Sequence, residues 1–435
     1  MVHSVRAAAI ALFLASVAPA QGASRLSFDD LLANLKSPNS RTRVEAIAAL
    51  GKSRRREAVS PLAALVHDPE PRVRLEVVKA LKELRDLSGV PALTTLMADE
   101  DPKVRQETVG TLLEIYCDRE RVTPVSRLRE IFSDEDDRLS CTPFTRVDPL
   151  VYQTLARALR DEEEGIRQEA ALALGILGGK SAVAELVATL QDAAPSVRGA
   201  AAAALGKVGT PEDGRNLVPL LADDSSGVRN RVLQALGALR VREAGPGLRE
   251  LYEANRRKEV GLKALACLSR VGDPNQADLF RGIVQDPDPD RKRLAIEGLG
   301  RISDSSMLPA FKKDYQRERS EELRLAYSFA LTRLGDRAFL DSLVLGLSSS
   351  TFGKRCQGYI EEMGPEVLSD LYPYLSDPDA EVRAQLCDIL GVLGNRGTID
   401  TLTALVQDPS PKVADRATRA VERLRQSLGP SGGVR

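Results

Sequence analysis

A motif that recurs about every 31 residues constrains the fold of this chain more than any other feature of its sequence. The motif starts with Asp and ends with Arg six positions later, as in Asp68-Pro-Glu-Pro-Arg-Val-Arg74. Its other copies start and end at Asp99 and Arg105, Asp161 and Arg167, Asp192 and Arg198, Asp223 and Arg229, and Asp377 and Arg383. A fixed period of this length predicts a solenoid of stacked helical repeats.

One period contains the pattern of two short helices. Residues 89–97 form a first apolar segment with Pro91 near its start, and residues 104–115 carry apolar side chains at helical spacing. Helices of three turns are not stable alone in water, so stacking on neighbours has to stabilise them. The sequence therefore predicts an all-α array over residues 24–428, with about 13 two-helix repeats.

The repeats differ in how well they match the pattern. Strong matches start at Ser37, Asp68, Asp99, Asp161, Asp192, Asp223, Asp286, Asp377 and Asp408, and weaker ones start near Ala254, Glu318 and Leu347. Asp99 and Asp161 are two periods apart. We expect a degenerate repeat around Asp134, within residues 118–148, to fill that interval.

Several second helices end in Leu-Gly-x-Leu/Val-Gly, as at residues 205–209 and 390–394. Together with the Asp-x5-Arg motif and the paired helices, these endings resemble HEAT repeats, most closely the short bacterial type found in phycobiliprotein lyases. The resemblance implies a right-handed superhelix that acts as a binding scaffold, with its second helices lining the concave face. It also implies that the recurring Asp and Arg residues pair within and between neighbouring repeats as an internal ladder. The alternative is that the Arg row binds an anionic ligand.

Residues 1–23 have the pattern of a secretory signal peptide. Arg6 precedes an apolar run over residues 7–18, and Ala18-Pro19-Ala20 or Ala23 provides the cleavage site. The run is too short to span a bilayer, so we expect a periplasmic or secreted protein with no transmembrane segment after cleavage. The Gly- and Pro-containing tail, residues 429–435, is predicted to be disordered.

The five cysteines do not form the even-numbered framework of a disulfide-rich domain. Cys117 and Cys141 flank an irregular stretch of an exported chain, so they are a candidate disulfide. Cys267, Cys356 and Cys387 are predicted to be small buried core residues.

A row of glutamates lies two residues after the recurring Arg: Glu45, Glu76, Glu107 and Glu169. If this row faces the concave surface, it is a candidate binding site for a basic partner or for Ca²⁺. The alternative is a solvated face with salt bridges to neighbouring Lys and Arg. Asp286-Pro-Asp-Pro-Asp290 with Glu297 also imitates a calcium loop, but Arg291 stands where the loop needs Gly.

The sequence contains little that could support catalysis. His3 and His67 are the only histidines, and no phosphate-binding loop, dinucleotide motif or Cys-x-x-Cys motif is present. The net charge of −1 gives no general attraction for nucleic acid. We therefore expect no catalytic residues, no cofactor, no metal site and no nucleic-acid partner.

The predicted function is an exported, non-enzymatic scaffold that binds a protein or peptide on its concave face. Two alternatives stay open. The resemblance implies a bilin lyase-like enzyme or chromophore chaperone, and the glutamate row suggests an outer-surface or envelope assembly factor that uses the row with Ca²⁺.

Overall fold

The computed structural model describes residues 26–117 and 146–428. All regular elements in these two ranges are helical, and 24 α-helices form consecutive pairs. Odd numbers denote the first helix of each pair and even numbers the second. The chain divides into two compact units, one up to Leu177 (unit 1) and one from Gly178 onwards (unit 2).

Unit 1 contains four of these pairs. They are α1 (Phe28–Asn34) with α2 (Ser40–Ser53), α3 (Val59–Ala63) with α4 (Pro71–Leu84), α5 (Val90–Leu96) with α6 (Pro102–Tyr116), and α7 (Pro149–Ala158) with α8 (Glu164–Leu177).

Unit 2 contains eight further pairs. They are α9 (Val183–Thr189) with α10 (Pro195–Val208), α11 (Pro211–Gly214) with α12 (Ser226–Leu239), α13 (Gly245–Ala254) with α14 (Glu259–Val271), α15 (Ala277–Ile283) with α16 (Pro289–Arg301), α17 (Leu308–Arg317) with α18 (Glu321–Arg333), α19 (Leu340–Leu345) with α20 (Gly353–Met363), α21 (Leu368–Leu371) with α22 (Ala380–Leu393), and α23 (Arg396–Leu405) with α24 (Pro411–Leu428).

Within each unit, each even-numbered helix packs against the next even-numbered helix. The buried side chains are mostly Leu, Val and Ala, and Leu81 and Leu112 are at most 1% exposed. Burying one such Leu stabilises the fold by about 1.5–3 kcal/mol, so many small contributions hold the array together. The prediction of an all-α array of stacked two-helix repeats is confirmed.

Glycine permits the closest of these helix contacts. A Cβ on Gly206 of α10 would lie 2.9 Å from Cα of Ala235 on α12, which no side chain could occupy without a shift of the helices. The last glycine of the same ending, Gly209, is the C-cap of α10, as the sequence predicted.

The interval between Asp99 and Asp161 differs from the sequence prediction. Helix α6 packs directly against α8, and Arg105 of α6 binds Asp161 in the turn between α7 and α8. The stack therefore has no room for another repeat between α6 and α8. The sequence analysis expected a repeat around Asp134 at this place, and the residues of that repeat, 118–145, lie outside the described ranges.

Several other predictions fall outside the residues that the structure describes. They are the signal peptide over residues 1–23, the disordered tail over residues 429–435 and most of the degenerate segment 118–148. Over residues 26–117 and 146–428, the structure contains no helix with the length and apolar character that a membrane span requires.

Candidate interaction surface

The recurring Asp and Arg residues form hydrogen bonds between successive turns. Arg74 Nε and Nη2 donate to Asp99 Oδ2 and Oδ1 of the next repeat, at 2.6 and 2.8 Å, and Nη1 donates to the carbonyl oxygen of Asp68 at 2.7 Å. Asp99 Oδ1 also accepts a bond of 2.9 Å from the backbone N–H of Asp101, which is the N-cap of α6. The Arg74–Asp99 pair thus links the turns of two successive repeats. Asp99 stabilises its own turn, and Asp101 caps helix α6.

The same two-bond geometry joins four further pairs: Arg43 and Asp68, Arg105 and Asp161, Arg198 and Asp223, and Arg383 and Asp408. Arg167 and Arg229 bind the turn carbonyls of their own repeats, those of Asp161 and Asp223. Asp192 and Asp377 accept backbone N–H groups within their own turns.

These pairs are largely removed from solvent. The side chains of Arg74 and Asp99 are only 7% and 4% exposed. The hydrogen bond from Arg198 lowers the pKa of Asp223, so that carboxylate stays ionised at neutral pH. Because the donors and acceptors of these pairs are used inside the turns, the arrangement favours a structural role over an Arg row that binds an anion.

Two related features escaped the sequence analysis. Between the repeats that start at Asp286 and Glu318, Lys292 Nζ donates to Glu318 Oε2 at 3.2 Å, so Lys and Glu replace the usual Arg and Asp. A second series of ion pairs joins successive repeats along the odd-numbered helices of unit 2: Arg249 to Asp278, Arg281 to Asp304, and Lys312 to Asp336. Asp304 and Asp336 also cap short 3₁₀ turns. An Asp at the start of each of these turns is the sequence signal that could have predicted the two ion pairs.

The predicted glutamate row lies on the even-numbered helices of unit 1. Glu45 is the most accessible member, with 65% of its side chain exposed, and it pairs with Arg41 at 3.0 Å. Glu76 lies 3.9 Å from Lys79, and its side chain is 23% exposed. The row is therefore accompanied by cations from its own helices.

The next two members of the row interact across helices. Lys82 of α4 binds Glu107 at 3.4 Å and Glu114 at 2.8 Å, both on α6. Glu169 of α8 is half-buried, and burial raises its pKa to about 7. The nearby charge of Glu107 also raises it, whereas a hydrogen bond with Gln106 and the charge of Lys82 act in the opposite direction. Near neutral pH this end of the row is thus only partly anionic.

Unit 2 contains a group of buried charges that we call the buried charge cluster, defined by Arg293, Glu297, Arg301, Tyr359 and Glu362. Glu297 of α16 is 5% exposed. Its Oε1 accepts bonds from Tyr359 Oη at 2.6 Å and Arg293 Nη1 at 2.8 Å, and its Oε2 accepts one from Arg301 Nη1 at 3.1 Å. Arg301 also donates two bonds to Glu362 of α20, at 2.8 and 3.0 Å. Burial acts to raise the pKa of Glu297, but Arg301 and Arg293 outweigh it and hold the pKa at about 2.

A contact beside the buried charge cluster shows that these helices converge. Arg240, at the C-terminal end of α12, donates to Glu362 near the end of α20 at 3.1 Å. Three even-numbered helices lie between them in the stack, and helices packed in parallel at about 10 Å spacing would place the two residues about 40 Å apart. The C-terminal ends of α12 to α20 therefore turn towards one another.

The segment that imitates a calcium loop, Asp286–Asp290 with Glu297, makes contacts within the fold. Asp288 is the N-cap of α16, Asp286 pairs with Arg291 at 3.1 Å, and Glu297 belongs to the buried charge cluster. In the part of the chain that the structure describes, no group of His, Cys, Asp or Glu side chains has an arrangement suited to a metal ion.

Three of the cysteines lie in the core. Cys267, Cys356 and Cys387 are buried and free, and burial raises the pKa of each thiol to about 12. Such thiols are poor nucleophiles at neutral pH. Cys117, at the end of α6, is a disulfide cysteine. Cys141 lies outside the described ranges, so its pairing with Cys117 stays a prediction, to be tested by mass spectrometry of non-reduced peptides.

Comparison with known proteins adds the following. A family model described as HEAT repeats matches residues 28–114, 151–237, 215–300 and 368–430, more than half of the chain. Among solved structures, an engineered protein is similar over 92% of this chain and 98% of its own, at 19% identity and a TM-score of 0.43.

Two natural proteins of known structure are also similar. YibA of Escherichia coli has 16% identity over 64% of this chain and 92% of its own, with a TM-score of 0.41. The complex of CpcE and CpcF of phycocyanin lyase from Nostoc sp. has 21% identity, coverage of 65% and 98%, and a TM-score of 0.30. No curated protein sequence matches the chain.

Proposed function

Because the chain belongs to the HEAT-repeat family, we propose that it is a non-enzymatic scaffold that binds a protein or peptide partner on the concave face formed by its even-numbered helices. The observation that carries the proposal is the packing of even-numbered helices side by side within each unit. A row of such helices offers a long, adaptable surface to a partner.

The accessible part of this surface supports binding in unit 1. Arg41, Glu45 and Lys79 have side chains that are 84%, 65% and 49% exposed. Exposed ion pairs contribute little to stability, so these charges remain available to a partner at small cost to the fold. In unit 2 the corresponding charges at α16 and α20 are buried in the buried charge cluster, so these two helices offer a partner fewer accessible charges than α2 and α4 do.

A capture experiment with charge variants tests this proposal. The purified protein is used as bait in envelope extract, with calcium and with a chelator, and bound proteins are identified by mass spectrometry. The double variant Glu45→Lys and Lys79→Glu should lose the dominant partner. Arg157→Glu on odd-numbered α7, an exposed position, is the control that should retain it. Equal capture by both variants would exclude the even-numbered helices of unit 1 as the contact surface.

The proposed scaffold acts outside the cytoplasm. The support is the charged start, apolar run and small-residue cleavage site within residues 1–23. N-terminal sequencing of the protein from a periplasmic fraction should give a chain that begins at Gln21 or Ser24. A chain that retains Met1 and stays with the cytoplasmic fraction would contradict export.

A further inference from the structure

Three arginines share an unusual backbone conformation at one repeat position. Arg54, Arg85 and Arg240 directly follow α2, α4 and α12, with φ of 55°, 51° and 54°. Gly178 and Gly272 occupy this place after α8 and α14, also with positive φ. The left-handed conformation is strained for residues with a Cβ and free of strain for glycine. Ser303, two residues after α16, also has a positive φ of 57°, so these turns tolerate a Cβ, and what the three arginines add is a long cationic side chain.

Two of the three arginines show what the position can do. Arg85 Nη2 donates to the carbonyl oxygen of Cys117, at the end of α6. Arg240 Nη2 donates to Glu362 Oε1 of α20 at 3.1 Å. At both helix ends the guanidinium leaves its own helix and binds an oxygen acceptor on another element. The strained backbone thus accompanies a directed cation.

Arg54 has the same backbone conformation but lacks an acceptor among the residues that the structure describes. Its side chain is exposed and has no hydrogen bond or ion pair with any residue in the ranges 26–117 and 146–428. Lys52, two residues earlier, is also exposed and unpaired within those ranges. A cation at a helix C-terminus is favourable in itself, but Lys52 already provides one without a strained backbone.

The surroundings of Arg54 are basic. Residues 52–57 contain four cations and one carboxylate. The guanidinium of Arg55 lies 3.8 Å from the centre of the Phe28 ring, and its Nε lies 3.7 Å from Glu57 Oε2. Arg56 forms an ion pair with Asp86, with 2.9 Å between Nε and Oδ2. We call Lys52, Arg54 and Arg55 the basic helix end.

We propose that the basic helix end binds an acidic segment of the protein partner, with Arg54 forming two parallel hydrogen bonds to one carboxylate. The planar guanidinium matches a carboxylate in this way, and five other arginines of the chain already bind Asp with this geometry. This inference rests on the proposed scaffold function and names the chemistry of its partner.

Arg54→Gly provides the decisive test, because it removes the charge and also relieves the backbone strain. Binding of a fluorescein-labelled decapeptide of alternating Glu and Ser is measured by fluorescence anisotropy at low salt, beside a Gln-and-Ser peptide and a single-stranded DNA of similar length. The wild-type protein should prefer the Glu peptide. Arg54→Gly should weaken that binding by about three- to tenfold, and its thermal midpoint should be no lower than that of wild type.

Matched variants complete the test. Lys52→Gln should weaken binding of the Glu peptide by a smaller factor, because a lysine makes no two-bond contact with a carboxylate. Arg157→Ala removes an exposed charge from α7 and should change nothing. The proposal falls if Arg54→Gly binds the Glu peptide as tightly as wild type. It also falls if the DNA binds at least as tightly as the Glu peptide, since the site would then serve nucleic acid.

This outcome is separable from that of the scaffold proposal. If the dominant partner from envelope extract is lost by the unit 1 charge variants but kept by Arg54→Gly, the scaffold stands and the basic helix end is not its contact. If those charge variants keep the partner while Arg54→Gly loses it, the basic helix end stands and the wider even-helix surface falls.

Discussion

Two glutamates on even-numbered helices, Glu169 in unit 1 and Glu297 in unit 2, have opposite pKa shifts. Burial acts to raise the pKa of both carboxyls. At Glu169 the effect of burial is larger than the opposing effects, and the pKa is about 7. At Glu297 it is outweighed by Arg301 and Arg293, and the pKa is about 2. The repeat fold thus allows either a partly protonated or a fully ionised carboxyl on its even-numbered helices near neutral pH, and the side chains on the same and adjacent helices decide which.

The difference has a consequence for binding. Around Glu297 each charged side chain of the buried charge cluster has an ion-pair partner. These ion pairs stabilise the converging ends of α12 to α20 and leave few charged groups accessible to a partner. Around Glu169 the charges are only partly matched, and Lys82 of α4 binds two glutamates of α6. Unit 1 therefore combines a less constrained surface with the exposed cations of α2, as an interaction site needs.

Removing a cation from the buried charge cluster should have the largest effect. Arg301→Met leaves Glu297 and Glu362 without their shared partner, and breaking a buried ion pair in this way costs about 3–5 kcal/mol. We expect the free energy of unfolding of unit 2, measured by urea denaturation, to fall by that amount. Arg240→Met is the control, because its half-exposed side chain makes one bond to Glu362. Equal losses for both variants would contradict the central place of Arg301.

A smaller loss is expected from one Asp–Arg pair of the turns. Asp408→Asn weakens two bonds from Arg383 and should cost about 2 kcal/mol at pH 7. The hydrogen bond from Arg383 lowers the pKa of Asp408, so its stabilising contribution is present above the unfolded pKa of about 4 and is lost as the pH falls further. Denaturation of variant and wild type should therefore converge near pH 2. A gap that persists there would mean that the loss is steric.

Glu169→Gln should act in the opposite direction and more weakly. A raised carboxyl pKa stabilises the fold fully below the unfolded pKa of about 4.3, and the contribution is lost as the pH rises to about 7. The variant should be more stable than wild type by about 1–2 kcal/mol at pH 8, after allowance for solvent screening, and equal to it near pH 4. Glu45→Gln, at an exposed pair, should change stability by less than about 0.5 kcal/mol at either pH. A destabilised Glu169→Gln at pH 8 would show that the ionised form is favoured.

The sequence could predict an interaction more easily when the two interacting residues lie one repeat apart than when they lie several repeats apart. The repeat period places Arg74 and Asp99 in adjacent turns, so the resemblance to HEAT repeats could imply their pairing. Lys292 and Glu318 keep this contact with other residue types, which a search for Asp and Arg misses. Arg301 joins Glu297 to Glu362 only because α16 and α20 converge, and that curvature is set by packing along the whole stretch. The calcium-like pattern at Glu297 was misleading because Arg293 and Arg301, four residues before and after it on α16, bind its carboxylate.

Gln106→Lys tests whether one neighbour accounts for the contrast between the two glutamates. Gln106 of α6 already binds Glu169, and a cation at this position would act as the arginines do around Glu297. We expect the pKa of Glu169, followed by NMR titration of its side-chain carboxyl, to fall by about one unit or more towards its ordinary value. Stability should then fall less between pH 4 and pH 8 than in wild type. Gln106→Met is the control, since removing the hydrogen bond without adding charge should raise the pKa further. If Lys leaves the pKa near 7, the depth of α8 decides the protonation of Glu169, and the neighbours do not.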